Sequence, residues 1–263
     1  MKKILALFFV CSCVTLVAQD SLRSPFSVYG GGGIGAGILL GGFGNKPSGI
    51  DELQFARVPY LDIQFKAGVL WNEKFGVAIL AGQLGHTNDG DAYAEYAQTA
   101  IPGYTLSFEY SDLHYGYTYR YVTPQFVYRI GREPFNLTIN AGAGIGQMKS
   151  AYGTAIYKQD STNWFIEDRY TSEPAWNING TLGFDFAYMR QLSQHWFMNT
   201  GVSLSYTAIL QNYDIQYTSQ RYGYSWYTFY DVSHVQGTIH HAAIGLFVHL
   251  QWNTKESERA YYE

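Results

Sequence analysis

The stretch that decides the fold is RVPYLDIQFKAGVLW at residues 57–71, followed by NEK at 72–74 and FGVAILAGQLG at 75–85. Apolar residues occupy every second position from Leu61 to Trp71, and mostly polar residues or glycine lie between them. A period of two predicts a β-strand with one apolar and one polar face. Three polar residues then reverse the chain, and a second alternating run begins at Phe75. The stretch therefore predicts a β-hairpin with an aromatic residue on each side of its turn.

The composition narrows the class of protein. The chain has 28 Gly and 24 Tyr, only 14% charged residues and a net charge of −4. This charged fraction is well below the quarter that is typical of soluble domains, and the chain has no basic region of the kind that binds nucleic acid. No apolar run reaches the roughly 20 residues that a transmembrane helix needs. Low charge, many glycines and tyrosines, and short apolar runs favour an outer-membrane β-barrel.

The first residues predict export. Lys2 and Lys3 precede an apolar segment from Ile4 to Val17, and Ala18–Gln19 is a plausible cleavage point. We interpret residues 1–19 as a secretory signal peptide, 20–252 as the barrel and 253–263 as a charged periplasmic tail. Lipidation at Cys13 is an alternative, but the apolar run continues after it. Both cysteines of the chain lie in this leader, so the exported protein is expected to have no disulfide.

The pattern of the hairpin recurs along the chain. About eight alternating segments of about 10–13 residues each are predicted, long enough to cross a bilayer when tilted. Pro124 predicts a local bulge or a rim position in its strand. The connections alternate between long and short, with long polar ones predicted at 44–56, 86–114, 149–174 and 208–237. Residues 105–121 alternate on both arms and are predicted as a hairpin beyond the membrane, and ten strands remain an alternative if it inserts. The predicted fold is an all-β, up-and-down antiparallel barrel with short periplasmic turns and long extracellular loops.

The two faces of these strands have different predicted environments. The polar face carries mainly Asn, Thr, Gln and Gly rather than the Lys and Glu of a water-facing surface, so we expect it to be enclosed. The apolar face would then meet lipid, which argues against a lipocalin-like carrier. Aromatic residues at the short-turn ends are predicted to form a girdle at the membrane interface; they are Trp71, Phe75, Tyr128, Phe135, Tyr188, Trp196 and Trp252.

The last strand carries a resemblance. Gly245 to Leu250 followed by Trp252 resembles the C-terminal signal that the barrel-assembly machinery reads, although a tail follows Trp252 here. The strand pattern of the whole exported chain resembles the small outer-membrane barrels of the OmpA/OmpX type, in the form common among Bacteroidetes. The resemblance implies a Gram-negative outer membrane, contact with its lipids and lipopolysaccharide, and no particular activity.

Charged residues on the polar parity are predicted to lie inside the barrel: Asp62, Lys66, Arg129, Asp185 and His249. An eight-stranded barrel is narrow enough for side chains to fill its interior. Because buried charges need partners, we expect this cluster to pair and to plug the lumen. A narrow ion or proton path is the alternative.

Histidines and acidic residues at the outer rim provide the only catalytic candidates. Ser233 and His234 with Asp231 could form a nucleophile and a general base. However, neither His-x-Ser nor a metal-ligand spacing such as His-Glu-x-x-His occurs. A Gly-x-Gly-x-x-Gly pattern beginning at Gly30 lacks the strand-then-helix context of a nucleotide loop. We therefore predict no catalytic residue, metal site or cofactor.

The last long connection is rich in aromatic residues, and those predicted to bind a partner are Tyr222, Tyr224, Trp226, Tyr227 and Tyr230. Tyrosine provides a large contact area and a polar group, which suits recognition of a protein or glycan. Packing within strands that extend above the membrane is the alternative. The predicted function is non-catalytic: a plugged barrel whose loops bind a surface partner, or which supports the envelope or an assembly. An outer-membrane enzyme acting on lipid A or peptides, and a narrow pore or accessory component of a secretion or uptake complex, are the alternatives.

Overall fold

The computed structural model describes residues 26–40, 60–86, 103–106, 112–114, 117–132, 134–149, 152–159, 164–222 and 227–254. They form the strands β1 (Phe26–Leu39), β2 (Tyr60–Trp71), β3 (Phe75–His86), β4 (Tyr104–Leu106), β5 (Asp112–His114), β6 (Tyr117–Arg132), β7 (Phe135–Lys149), β8 (Tyr152–Gln159), β9 (Phe165–Ser172), β10 (Ala175–Gln191), β11 (Trp196–Tyr222) and β12 (Tyr227–Asn253). None of the described residues lies in a helix long and apolar enough to cross a membrane. The proposed leader, at 1–19, lies outside the described residues.

Eight strands close into a ring: β1, β2, β3, β6, β7, β10, β11 and β12. Each pairs antiparallel with its neighbours, the first strand pairs with the last, and β10 pairs with β11. Closure removes the sheet edges that would otherwise leave backbone groups unpaired in lipid. The predicted up-and-down barrel is confirmed, and its wall has eight strands rather than ten.

The apolar and polar side chains of the wall point in the opposite directions to those of a water-soluble barrel. Large apolar side chains point outward, with Phe126 78% and Leu246 65% exposed. Polar side chains point inward, with Asn140 completely buried and Asn179 1% exposed. A continuous apolar outer surface of this kind requires a lipid environment, so the barrel spans a membrane.

The hairpin between β2 and β3 has the tight turn that its sequence predicts. Asn72 and Glu73 both have positive φ, 51° and 58°, as in the type I′ turns whose twist matches that of paired strands. The amide of Lys74 donates to the carbonyl of Trp71 at 3.1 Å. This turn keeps the two strands in continuous register from Trp71 and Phe75 upward.

Two predicted loops are largely strand. The segment 208–237 continues β11 to Tyr222 and resumes as β12 at Tyr227 in one unbroken register. The segment 149–174 contains β8 and β9, and β9 pairs with β11. The prediction failed because polar outward positions above a membrane look like loop residues, although the backbone continues to pair.

Two smaller expectations were also wrong. β4 and β5 do not form a hairpin with each other; both pair with β8. Pro124 lies opposite Ile79 within the wall, and the pairing of β6 with β7 resumes after Pro124 in its original register, so there is no bulge. The β6–β7 pairing has a gap at Thr123 and Pro124, because proline has no amide proton to donate to the neighbouring strand.

Candidate functional site: the lumen and the extracellular sheet

One ion pair lies at the centre of the lumen. The Nζ of Lys66 on β2 is 2.7 Å from Oδ2 of Asp185 on β10, and both side chains are at least nine-tenths buried. The Nδ2 of Asn140 donates to the same carboxylate oxygen at 2.9 Å. The structure thus brings together two of the five charged residues predicted for the lumen, from strands on opposite sides of the barrel.

The other three predicted lumen residues contact neutral partners. Nη1 of Arg129 donates to Oε1 of Gln251 at 2.8 Å. The carboxylate of Asp62 accepts a hydrogen bond from Nε2 of Gln64 at 2.6 Å, and its Oδ1 has no donor among the described residues. The ring of His249 lies 4.6 Å from that of Phe247, centroid to centroid. In the described part of the chain these three groups make no ion pair.

Neutral side chains fill the lumen nearer the extracellular side. Oγ1 of Thr123 donates to Oδ1 of Asn179 at 2.8 Å, and Nδ2 of Asn179 donates to the hydroxyl of Tyr119 at 3.0 Å. Nε2 of Gln125 donates to Oγ1 of Thr181 at 3.0 Å. These bonds join β6 to β10 over the inner face of β7, which lies between them. The sequence analysis did not predict these contacts because it considered only the charged residues of the polar face. The alternation of the sequence already placed these neutral residues on that face.

The cavities between the described lumen residues are small. A cavity of about 20 Å³ lies between Asp62, Lys66, Asp185 and His249, and another of about 10 Å³ adjoins Arg129. A water molecule needs about 10–15 Å³ measured in this way, so these cavities have room for one or two waters. Among the described residues, no cluster of His, Cys, Asp and Glu could hold a metal ion.

The girdle residues lie at the ends of the short turns. Trp71 pairs with Phe75, which pairs with Tyr128, and Trp196 pairs with Trp252. The rings of Phe75 and Tyr128 are 4.9 Å apart, and those of Phe135 and Tyr188 are 5.5 Å apart. Phe135 is 68% exposed, so its ring is available to a lipid–water interface.

A sheet rises above the opposite end of the barrel. We call β8, β9 and the parts of β11 and β12 beyond Leu210 and Thr238 the extracellular sheet. Outward positions of β11 are apolar up to Leu210, apart from Thr200, and then become polar, beginning with Asn212 and Asp214. This change in the outward face marks the outer membrane boundary.

The extracellular sheet exposes aromatic side chains. Tyr230 is 59% and Phe229 44% exposed, and Trp164, directly before β9, is 40% exposed. By contrast, Tyr222 stacks on Phe165 at 4.3 Å, and its hydroxyl donates to Glu167 at 3.2 Å. Desolvation and then the Glu167 carboxylate raise the pKa of Tyr222, so its hydroxyl stays protonated. The other predicted partner-binding residues are Tyr224 and Trp226, outside the described residues, and Tyr227, whose side chain is not described.

The His–Asp contact at the rim differs from the predicted one. Nδ1 of His234 lies 2.5 Å from Oδ1 of Asp214, on the neighbouring strand, and its Nε2 lies 2.9 Å from Nε2 of Gln236. Asp231 instead accepts a hydrogen bond from the amide of Val232. Asp214 was missed because it is distant in sequence and only the β11–β12 register brings it opposite His234. Both side chains are at least half exposed.

Comparison with known proteins gives structural neighbours only. No family model and no curated protein matches the chain. Among solved structures, it is similar to a major outer membrane protein from Thermus thermophilus, at 12% identity and a TM-score of 0.36 over 88% of this chain and 99% of that one. It is also similar to Ail, the attachment invasion locus protein of Yersinia pestis, at 12% identity and 0.36 over 87% and 98%. A third similar structure is OprG from Pseudomonas aeruginosa, at 13% identity and a TM-score of 0.36 over 88% of this chain and 96% of that one.

The location follows from the barrel itself. Its wall closes on itself, its outer surface is apolar over the membrane-spanning part, and aromatic residues lie at the short-turn end. Bacterial outer membranes are where barrels of this construction reside. The protein is a transmembrane β-barrel of a Gram-negative outer membrane.

Proposed function

We propose that this protein is a non-catalytic outer-membrane barrel with a plugged lumen that binds a macromolecular partner through its extracellular sheet. The observation that carries this proposal is the exposure of Phe229, Tyr230 and Val232 on paired strands that project beyond the membrane. Exposed aromatics on a preordered backbone give contact area at little entropic cost. A surface protein or glycan is the partner class that this chemistry suits.

The packing of the lumen supports a role other than transport. The Lys66–Asp185 pair crosses the interior, and the bonds of Thr123 and Gln125 to β10 occupy it at a higher level over the inner face of β7. A solute would have to displace these contacts and leave buried polar groups without partners, which is unfavourable. Purified protein in planar bilayers should therefore show no large steady conductance, and such a conductance would contradict a plug.

The edge of the extracellular sheet offers a second recognition surface. β1 and Leu40 after it bond to β12 only as far as His240, and in the described part of the chain the segment of β12 above this point pairs with β11 alone. A free strand edge presents backbone donors and acceptors to an extended peptide. This geometry favours a protein over a glycan as the partner.

Site-specific photo-crosslinking tests the proposal. A photoreactive phenylalanine analogue placed at Tyr230 should capture a partner on whole cells, whereas the same analogue at Tyr128, in the periplasmic girdle, should not capture it. Once the partner is identified, Tyr230→Ser should weaken its binding at least tenfold, as expected for a central aromatic contact. Equal capture from both positions would contradict recognition by the extracellular sheet.

The His234–Asp214 contact is the specific observation that favours an enzyme. A histidine oriented by a carboxylate can act as a general base. Incubation of the purified barrel with lipopolysaccharide or peptides should release no acyl chain or fragment; release that is lost in His234→Ala would establish catalysis. A supporting role in the envelope or in a secretion or uptake assembly, recognition by the barrel-assembly machinery and the Bacteroidetes-type form stay predictions.

A further inference from the structure

A row of polar side chains lies at the outer end of the lipid-facing surface. Gln83 on β3, Arg120 on β6 and Gln147 on β7 are in register on three adjacent strands. Nε of Arg120 donates to Oε1 of Gln83 at 3.0 Å. We call these three residues the outer polar row. Trp176 on β10 pairs with Gln147 and is 67% exposed beside the row.

Arg120 lies just below the height of the lipid head groups. The chain rises roughly 20 Å from Tyr128 in the girdle to Arg120, at about 3.4 Å per residue and a tilt of about 40°. The apolar band of such barrels is about 25 Å tall. Arg120 therefore lies near the top of this band, where its side chain can extend to the interface.

The charge of Arg120 is not neutralised by the described part of the protein. Its guanidinium is hydrogen-bonded to the neutral Gln83 and makes no ion pair among the described residues. Because Oε1 of Gln83 accepts from Arg120, the amide nitrogen of Gln83 remains a donor. The terminal nitrogens of the guanidinium also remain donors. The outer polar row is thus a cationic set of donors next to lipid.

An apolar groove of about 550 Å³ lies directly below the outer polar row. Its floor is formed by Ala81, Val122 and Ile145, and Phe65 and Trp176 form its sides. Ala81 lies between Phe65 and Val122 in adjacent strands, so a small residue interrupts a row of bulky ones. The groove is within the size range of sites that take small ligands.

We propose that this groove binds one anionic lipid of the outer leaflet, with the phosphate of its head group on Arg120 and an acyl chain on Ala81, Val122 and Ile145. Arginine presents several donors in the fork that matches phosphate oxygens. Gln83 and Gln147 contribute amide donors to the head group, and Trp176 lies at the interface where indole rings are favoured. An amphiphile with one anionic end and one chain matches both the charge and the shape.

Native mass spectrometry of the protein in nanodiscs tests this proposal. The nanodiscs contain equal amounts of phosphatidylglycerol and phosphatidylcholine, and the lipids retained by the released protein are counted. Wild type should retain one phosphatidylglycerol in preference to phosphatidylcholine by about tenfold, the effect of one charge-assisted contact. Arg120→Gln should lose this preference while its gel mobility still changes on heating, as a folded barrel's does.

Two further variants separate the site from general charge and from misfolding. Arg190→Gln removes an exposed cation at the periplasmic end of β10 and should keep the preference. Ala81→Phe fills the groove, leaves Arg120 in place and should reduce retention. Equal retention of the two lipids by wild type, loss of the preference in Arg190→Gln, or a wild-type preference in Arg120→Gln would each overturn the proposal. A second copy of the barrel in place of the lipid would also overturn it.

Discussion

The barrel has a short wall and a tall wall. β2 and β3 of the short wall have 12 residues each, whereas β11 and β12 of the tall wall have 27 each. On β3 and β6 the outward face changes from apolar to polar at Gln83 and Arg120. On the tall wall the same backbone pairing continues beyond Leu210, and only the outward side chains change from apolar to polar.

This difference shows that two properties of the chain are set independently. Hydrogen bonding between strands decides how far the sheet extends, and outward polarity decides where the membrane ends. On the short wall both limits nearly coincide, so the rim is available to lipid. On the tall wall they are separated, so paired strands are presented to the outside of the cell. The proposed lipid site lies on the short wall, where the two limits nearly coincide. The proposed partner site lies on the tall wall, where they are separated.

The largest expected effect comes from the ion pair that anchors the short wall. Lys66→Ala leaves Asp185 buried and without its cation, and removing one member of a buried pair costs about 3–5 kcal/mol. If the two walls form one cooperative unit, both should unfold together at lower denaturant. Urea unfolding in lipid vesicles, followed by tryptophan fluorescence and by protease access to the extracellular sheet, measures this.

Two control variants show whether the loss of stability comes from the unpaired charge of Asp185. Lys74→Ala removes an exposed lysine from the β2–β3 turn and should change the free energy of unfolding by about 0.5 kcal/mol or less. The double variant Lys66→Met, Asp185→Leu removes both charges and should recover much of the stability. Loss of the extracellular sheet at lower urea than the barrel would show that the walls unfold separately.

The boundary on the tall wall can be tested with one substitution on each side of it. Leu204→Arg places a charge in the lipid-facing surface and should cost about 2–4 kcal/mol, whereas Asn212→Arg should cost about 0–1 kcal/mol. Both residues lie on the outward face of β11. Unfolding in vesicles gives both values, and equal costs would place the membrane boundary above Asn212.

The sequence predicts the membrane-spanning part of this wall better than the rest. From Trp196 to Tyr206 most even positions are apolar, and this pattern identified the strand and its lipid-facing side. Beyond Leu210, tyrosines and isoleucine take the odd positions 213, 215 and 217, while Asn212 and Asp214 take even ones. The alternation thus continues with the outward face now polar. The segment beyond Leu210 was interpreted as a loop because only segments with an apolar, lipid-facing side were taken as strands.

The next effect concerns the neutral contacts between β6 and β10 inside the barrel. Asn179→Ala removes the acceptor of Thr123 and the donor to Tyr119, and unsatisfied buried groups cost about 1–3 kcal/mol. Asn212→Ala is the matched control, since it removes an exposed amide from the tall wall. A similar small change in both variants would show that water replaces the lost contacts inside the lumen.

Site contacts were less predictable than strands because they depend on register across the barrel. Lys66 and Asp185 were both assigned to the lumen from parity, but parity does not state which charges meet. Asp62 was expected to have an ionic partner and contacts Gln64 instead. Arg120 was not singled out, since its significance comes from Gln83 and Gln147 on adjacent strands and from the groove below.

The smallest expected effect is at His234 on the tall wall. Both His234 and Asp214 are at least half exposed, and exposed ion pairs contribute about 0–1 kcal/mol, less in salt. His234→Ala should therefore change the free energy of unfolding by about 0.5 kcal/mol or less. His241→Ala, on the inward face of the same strand where the side chain is 1% exposed, should cost about 1–3 kcal/mol. Equal losses would mean that the outward face of the tall wall is packed against another part of the protein, and that the extracellular sheet is not free to meet a partner.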